Sequence, residues 1–345
     1  MLLLKKNKSK VSVVIPCRNE ENYIGQCLDY ICRQTYGIEH IEVMVCDGMS
    51  EDKSRMIVSE YSKKYPSIKL VDNIKKVAPV AMNLGIKEST GDIVIIFGAH
   101  AYMDECYVEN CVKKLDETDA MCVGGRIESI SENESAEVIS KAMSSPFGVG
   151  NALFRYSEEE TYVDTVAFGA YKREVFEEIG LFDEELVRNQ DDEINYRVTK
   201  SGMKILLTPI VKSYYYTRGS FAKLWRQYFQ YGFWKVRVIQ KHNKPAALRH
   251  LVPILFVLSL IIGIVLSPFS SIIRNAFVFE IIVYLLCAGI FSLKVCEDKV
   301  QQIPRIMISF FILHTSYGLG FLEGIFKFYI RKTNKGIEKY TKTSR

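Results

Sequence analysis

The run Arg188-Asn189-Gln190-Asp191-Asp192-Glu193-Ile194-Asn195-Tyr196-Arg197 places three carboxylates in succession where a helix begins. A helix N-terminus favours negative charge, and Arg197 stands four residues after Glu193, a salt-bridge spacing. Those effects account for Glu193 and for Asp192, but they do not require all three. Like charges this close raise one another's pKa, which makes one of them a candidate general base. Spacing alone leaves open which one.

Other polar residues with chemical capacity recur at the ends of short apolar runs. Asn19 and Glu20 follow Val11–Pro16, Asp47 follows Ile41–Cys46, and Gly98 and His100 follow Ile93–Phe97. A glycine admits a ligand close to the backbone, and an imidazole can bind a metal or an anion. Taken singly, each is the kind of residue that loops contain. The elements between them decide the matter. Apolar runs of strand length alternate with helical stretches, one running to about Arg33, one with Met56, Ile57, Val58 and Tyr61, and one from Pro79 that ends before Gly91, a pattern that predicts a mostly parallel α/β sheet with crossovers. On such a sheet the loops after the strands share one edge, where ligands collect. Farther along, strands are expected to end at Cys122–Arg126 and to run from Val163 to Phe168. The acidic, Ser-rich stretch 129–160 reads as a loop region on the acceptor side.

A net charge of +5 spread over 345 residues gives no bulk field for nucleic acid. Nine cysteines without a Cys-x-x-Cys pair read as small buried hydrophobes in a reducing compartment. The apolar core of Met1-Leu2-Leu3-Leu4 is too short for a signal peptide, so the first domain is expected to stay in the cytosol. Neither a G-x-G-x-x-G nor a P-loop follows the first strand, which removes the main support for a dinucleotide or NTP site.

Several motifs in order resemble family 2 glycosyltransferases: Val13-Val14-Ile15-Pro16-x-x-Asn19-Glu20, Asp47-Gly48-x-Ser50, Ala81-x-Asn83-x-Gly85, Ile179-Gly180-x-Phe182-Asp183-Glu184, and Gln190-Asp191-x-Glu193-Ile194-x-x-Arg197 with Gly202. Phe97-Gly98-Ala99-His100-Ala101 and Gln227–Gly232 look like the membrane-bound succinoglycan-biosynthesis glucosyltransferase subgroup. The resemblance covers about residues 10–240. It implies a GT-A fold, a nucleotide-diphospho-sugar donor (commonly a UDP-sugar) and an inverting transfer. It also implies that Pro16, Glu20 and Asp47 hold the nucleotide, that Asn83 borders the sugar-nucleotide, and that Asp191 is the catalytic base, with Arg197 structural.

The sequence departs from that family at the fourth strand, where the usual Asp-x-Asp is replaced by Gly98-Ala99-His100. His100 is therefore the expected metal or diphosphate ligand, and imidazole suits Mn²⁺ better than Mg²⁺. Gln190 stands where Glu often precedes the base. Gln227-x-x-Gln230-Tyr231 lacks the Arg and Trp of processive relatives, which predicts a single transfer.

Beyond the sheet, residues 218–250 contain eight Lys or Arg and no acid. Lys223, Arg226, Arg237, Lys241 and Lys244 share a sector of a helical wheel opposite Phe221, Trp225, Tyr228, Val236 and Ile239, as in an interfacial helix on anionic lipid. The alternative is a helix packed on protein with a solvated basic face. Leu251–Leu266, Ala276–Leu293 and Ile306–Ile325 have lengths near a bilayer span. Three crossings would put Lys327, Arg331, Lys332, Lys335 and Lys339 outside, against the positive-inside tendency, so the third segment is expected to be re-entrant or interfacial. Glu280 within the second run is a functional candidate or a paired carboxylate.

The expected organisation is a cytosolic GT-A catalytic domain (1–217), a basic amphipathic interfacial helix (218–247), a membrane region with two to three spans (248–330) and a basic tail (331–345). The expected activity moves one sugar from a nucleotide-diphospho-sugar to a polyprenyl-diphosphate-linked or polysaccharide acceptor at the cytosolic face of the inner membrane. The alternative is a sugar-nucleotide-binding scaffold of a polysaccharide-assembly complex.

Overall fold

The computed structural model describes residues 8–244, 247–332 and 337–341. Met1–Lys6 and part of the basic tail, Lys335 included, lie outside the described residues. The chain divides into two compact units, residues 1–128 with 157–215, and residues 129–156 with 216–345.

The first unit is built on one sheet. Strands β1 (Val11–Cys17), β2 (Ile41–Asp47), β3 (Ile68–Asp72) and β4 (Ile93–Ile96) alternate with helices α1 (Ile24–Cys32), α2 (Ser54–Lys64) and α3 (Ala78–Glu88). Every residue of β2 and β4 is buried, Glu42 and Asp47 of β2 included, as in parallel strands covered on both faces. The pairings β1–β2, β2–β3 and β1–β4 are parallel, so the sheet carries β3-β2-β1-β4 along one half. The remaining strands are β5 (Ala101–Met103), β6 (Ala120–Ile130), β7 (Thr161–Val163), β8 (Ala170–Lys172) and β9 (Lys204–Tyr216), with α4 (Tyr107–Glu117) after β5. β8 joins antiparallel to β4, and β6, β9 and β5 extend the sheet beyond it. The core of this half holds Ile15, Ile24, Leu28, Val43, Ile95, Phe97 and Tyr107.

Two sequence expectations change here. The strand expected over Val163–Phe168 ends at Val163, because the next residues are claimed by a helix side chain: Asn195 Nδ2 donates to Thr165 Oγ1 (2.9 Å) and to the Val166 carbonyl (3.0 Å). The long strand β9 lies where no strand was read, since Pro209 interrupts its pattern.

The stretch 129–160 is not all loop. It forms α5 (Glu134–Met143) and the single turn α6 (Pro146–Val149). Asn133 caps α5, its Oδ1 accepting from Ala136 N at 2.9 Å. Ala136, Val138, Ile139, Ala142 and Met143 form the buried stripe beneath the acidic surface. Helices α7 (Glu174–Ile179) and α8 (Gln190–Lys200) complete the first unit.

In the second unit α5 and α6 accompany four long helices, α9 (Phe221–His242), α10 (Val252–Leu266), α11 (Ser271–Val295) and α12 (Ile303–Ile325). The three segments Leu248–Leu266, Ser271–Val295 and Val300–Ile330 are long and apolar enough to cross a membrane. Val138, Ile139, Ala142, Leu224, Ile306 and Phe310 share one buried cluster. The basic helix is α9, and part of its expected apolar face is already covered by protein. Val236 is buried against Gly324 of α12, whereas Trp225 stays 37% exposed. Gln227 faces inward, its Nε2 donating to the Tyr231 hydroxyl at 3.0 Å. Glu280 Oε1 lies 2.5 Å from the Ser259 hydroxyl of α10, which also reaches the Phe256 carbonyl at 2.7 Å.

Candidate active site

The loops after β1 and β2 are zipped together by their own polar groups. Asn19, in the left-handed region at φ 54°, donates from its backbone to Ser50 Oγ (2.8 Å), and its Oδ1 accepts from Glu51 N (2.9 Å). Glu20 N donates to Ser54 Oγ at 2.8 Å, and the Glu20 carbonyl accepts from Tyr23 and Ile24 to start α1. Asp47 is 1% exposed at the end of β2. Its carboxylate accepts from Ser50 Oγ (2.5 Å), Ser50 N (2.9 Å) and Arg55 Nη1 (2.7 Å), while Arg55 also holds Asp72 at the end of β3 (2.8 Å). A carboxylate offers about four acceptor positions, so Asp47 keeps roughly one for a ligand. Pro16 pairs with Cys46 across the same strands and restricts the backbone just before this loop.

At the end of β4, His100 Nδ1 lies 3.0 Å from Glu20 Oε1, and the imidazole meets the Tyr215 ring edge-on at 5.4 Å. A carboxylate only accepts, so Nδ1 carries the proton of this contact; in the neutral form of the ring the lone pair is then on Nε2. Nε2 in turn lies 3.9 Å from where a Cβ at Gly98 would stand. That Cβ would also come within 3.1 Å of Phe168 Cε1. Phe168 is held with φ at 53°, a strained conformation for a bulky residue, while its carbonyl accepts from the Tyr107 hydroxyl at 2.5 Å. A side chain at position 98 would therefore require the Phe168 ring to give by a few tenths of an ångström. Sequence reasoning missed Phe168, and an aromatic at the end of an expected strand carries no signal of positive φ.

Asn83 is placed differently. Its amide is engaged with the turn after α7: Oδ1 accepts from Phe182 N (3.0 Å), and Nδ2 donates to the Phe182 carbonyl (2.9 Å) and to Glu184 Oε1 (3.3 Å). It clamps the segment that leads toward α8.

Asp191 sits half-buried in the first turn of α8, after Asn189 with φ 61°. Burial, and then the neighbouring Asp192, push its carboxyl up to about 7. Among the described residues no hydrogen bond reaches that carboxylate, and none joins it to His100. Its surroundings are rigid. Asn195 accepts from the Tyr171 hydroxyl at 2.8 Å, tying α8 to β8. Glu193 takes Arg197 bidentately (2.8 and 2.9 Å), and Arg197 also donates to the carbonyls of Ile179, Gly180 and Leu181. The three carboxylates therefore separate: Glu193 is structural, and Asp191 is the one with a raised pKa.

The fit of a divalent metal can be tested on these side chains. Among the described residues no group of three His, Cys, Asp or Glu converges on one point. His100 supported by Glu20 is nonetheless the arrangement of a metal-binding imidazole with its outer carboxylate. A cation would find one protein nitrogen here and take its other ligands from a diphosphate and water.

A parallel half-sheet with its polar loops on one edge, extended by antiparallel strands that bring in a carboxylate, defines the GT-A class of nucleotide-diphospho-sugar transferases. The model of glycosyl transferase family 2 matches residues 12–180. A glucuronosyltransferase of Methanococcus voltae acting on dolichyl N-acetyl-α-D-glucosaminyl phosphate is 34% identical over 92% of this chain and 97% of its own length. Succinoglycan biosynthesis protein ExoA of Rhizobium meliloti is 27% identical over 70% of this chain and 74% of its own. The mannosyltransferase PcManGT of Pyrobaculum calidifontis, solved with GDP-Man and Mn²⁺, shares the fold with a TM-score of 0.56 at 22% identity, over 91% of this chain and 88% of its own. The chain belongs to glycosyl transferase family 2; it is a membrane glycosyltransferase.

Proposed function

We propose that this enzyme moves one hexose from a nucleotide-diphospho-sugar, a UDP-sugar, to a lipid-linked or growing polysaccharide acceptor in exopolysaccharide or cell-envelope glycan synthesis, inverting the anomeric centre. The observation that carries the reading is Asp191, a carboxylate without a hydrogen-bond partner among the described residues and held near neutral pKa by burial and Asp192. A base of that strength accepts the acceptor hydroxyl's proton as the oxygen attacks C1. The new C–O bond forms as the bond from C1 to the diphosphate breaks on the opposite face, and the electron pair leaves with the nucleoside diphosphate.

The other residues bind and orient. Asp47 offers its remaining lone pair to the base or ribose, and Pro16 and Glu20 shape the nucleotide loop. Asn83 holds the 182–184 turn that borders the sugar. Gly98 leaves the diphosphate room to approach the backbone. His100 faces the diphosphate directly or holds a divalent cation through Nε2, with Glu20 fixing its tautomer. When bound, such a cation would offset the negative charge growing on the leaving group. The Mn²⁺ in the solved mannosyltransferase and the lipid-phosphate acceptor named for the Methanococcus voltae relative support this reading. The same reading places the enzyme in the plasma membrane as a multi-pass protein with its catalytic unit in the cytosol.

The test is Asp191→Asn, assayed in membranes with labelled UDP-sugars and polyprenyl-linked acceptors. Transfer is expected to fall by ~10²–10⁴-fold, the usual worth of a general base, with donor binding kept. Transfer within a few-fold of wild type overturns Asp191 as the base. Donor binding without transfer by the wild-type chain overturns the activity itself.

A further inference from the structure

We propose that α12, although apolar enough to cross a bilayer, does not cross it. In this arrangement α10 and α11 form a two-span hairpin, while α9 and α12 lie paired along the anionic headgroup layer of one leaflet. The chain after α12 then stays on the side where α5 and α6 lie. The inference concerns placement in the membrane and does not depend on the donor sugar.

Connectivity defines that side. Residues 129–156 run between β6 and β7, strands of one sheet. With helices of 10 and 4 residues, they are too short to cross a bilayer and return. Arg249, just before α10, donates from Nη1 to Asn151 Oδ1 at 2.9 Å and packs on Gly150, so α10 starts on this side. After α11, Lys299 Nζ reaches Glu137 Oε1 at 2.7 Å, and Lys141 donates to the Cys296 carbonyl (3.2 Å) and Gln302 Oε1 (3.1 Å). The hairpin therefore goes out and comes back.

Helix α9 follows β9 directly and is 22 residues long, about 33 Å. Only five residues separate its end at His242 from Leu248, six steps with a reach of roughly 20 Å at full extension. A crossing α9 could not return the chain to Arg249, so both of its ends lie on the near side. Helix α12 then runs parallel to α9 along its length. Arg305 stands over the Phe221 ring at 5.9 Å, Gly320 abuts the Phe229 carbonyl, Gly324 abuts Val236, and Gln240 Nε2 donates to the Phe328 carbonyl at 3.2 Å. Glycines at these points let two backbones meet, as between packed membrane helices.

Two further contacts agree. Gly318 of α12 rests on the Pro253 carbonyl and Val257, in the first turns of α10 and not at its far end. Burial also sets the segments apart, since 56% of the third segment's apolar window is buried in protein, against 17% and 11% for the first two. If α12 crossed, α9 would carry Arg226, Lys235, Arg237 and Lys241 into the bilayer, where charged side chains are costly. Lying flat, the pair instead offers Lys223, Arg226, Lys244 and Arg331 to anionic headgroups, with Trp225 as an interfacial anchor.

Sidedness tags on the full chain test this directly. A tag after Arg345 is expected to report the same side as one inserted after Asp298, and the opposite side to one after Pro268. A tag after Arg345 on the Pro268 side overturns the proposal. Fluorescence gives a second readout that needs no insertion, because the chain has only Trp225 and Trp234. In vesicles containing phosphatidylglycerol, lipids brominated near the headgroup should quench more than lipids brominated near the chain ends, and Trp225→Phe should abolish the difference. Strongest quenching from the bilayer centre, or none at any depth, overturns it.

Discussion

Replacing Asp191 by Asn should make the enzyme inactive and, at alkaline pH, more stable. In the fold this carboxyl titrates at about 7, against 3.8 for an ordinary Asp, so ionising it there costs up to about 4 kcal/mol more than in the unfolded chain. Well below pH 3.8 the group is neutral in both states and contributes no difference. As pH rises through the window from 3.8 to about 7, the unfolded chain loses its proton first, so folding stability falls; above about 7 the full penalty is present. The Asn variant never ionises and escapes that penalty. Denaturation of purified Asp191→Asn and wild-type enzyme in detergent, followed at pH 4, 6 and 8, should show a gap that widens with pH. Wild-type kcat/KM should drop tenfold per pH unit below about 7, since the base must be ionised to act. A stability gap independent of pH, or one favouring the wild type at pH 8, would refute both the raised pKa and the burial that causes it. An active enzyme with that function gives up stability for reactivity.

Three other outcomes are expected. His100→Ala should weaken donor binding and flatten the Mn²⁺ response of transfer, measured by metal titration; an unchanged response refutes its place at the diphosphate. Gly98→Asp should not restore a working carboxylate but should lose activity, because its Cβ meets Phe168 at 3.1 Å; Phe168→Ala in the same chain should recover part of the loss. Arg197→Ala should destabilise the catalytic unit by roughly 3–5 kcal/mol, as expected when one partner of a buried, hydrogen-bonded pair is removed, and Arg197→Lys should recover little of it, which thermal denaturation can read.

Much of the sheet was legible because parallel strands buried on both faces must be continuously apolar. Runs such as Val43–Cys46 and Ile93–Phe97 have few other uses. The family was legible for a related reason: polar residues after those strands recur in a fixed order. The helix α5 was not, since its apolar stripe is diluted by Glu134, Glu137 and Lys141, whose partners Lys299, Arg305 and Gln302 are distant in sequence. Nor did spacing distinguish Asp191 from Glu193. Both stand in one helical turn, and only the carbonyls of 179–181 gathered around Arg197 show that Glu193 is committed to structure.

By itself, then, the sequence determined the parallel half-sheet, the edge at which its loops meet, the family, and three segments apolar enough for a membrane. Those features rest on local composition and period, which need no distant partner. Tertiary structure alone decided three others. Asp191 is the carboxylate with a raised pKa because it is buried beside Asp192 without a cation. His100 meets the Glu20 carboxylate, which lies 80 residues away in sequence. Gly98 faces the Phe168 ring, which a Cβ there would meet at 3.1 Å. Each depends on what the fold brings within a few ångströms, and desolvation, proton position and steric exclusion are properties of that neighbourhood, not of the residue.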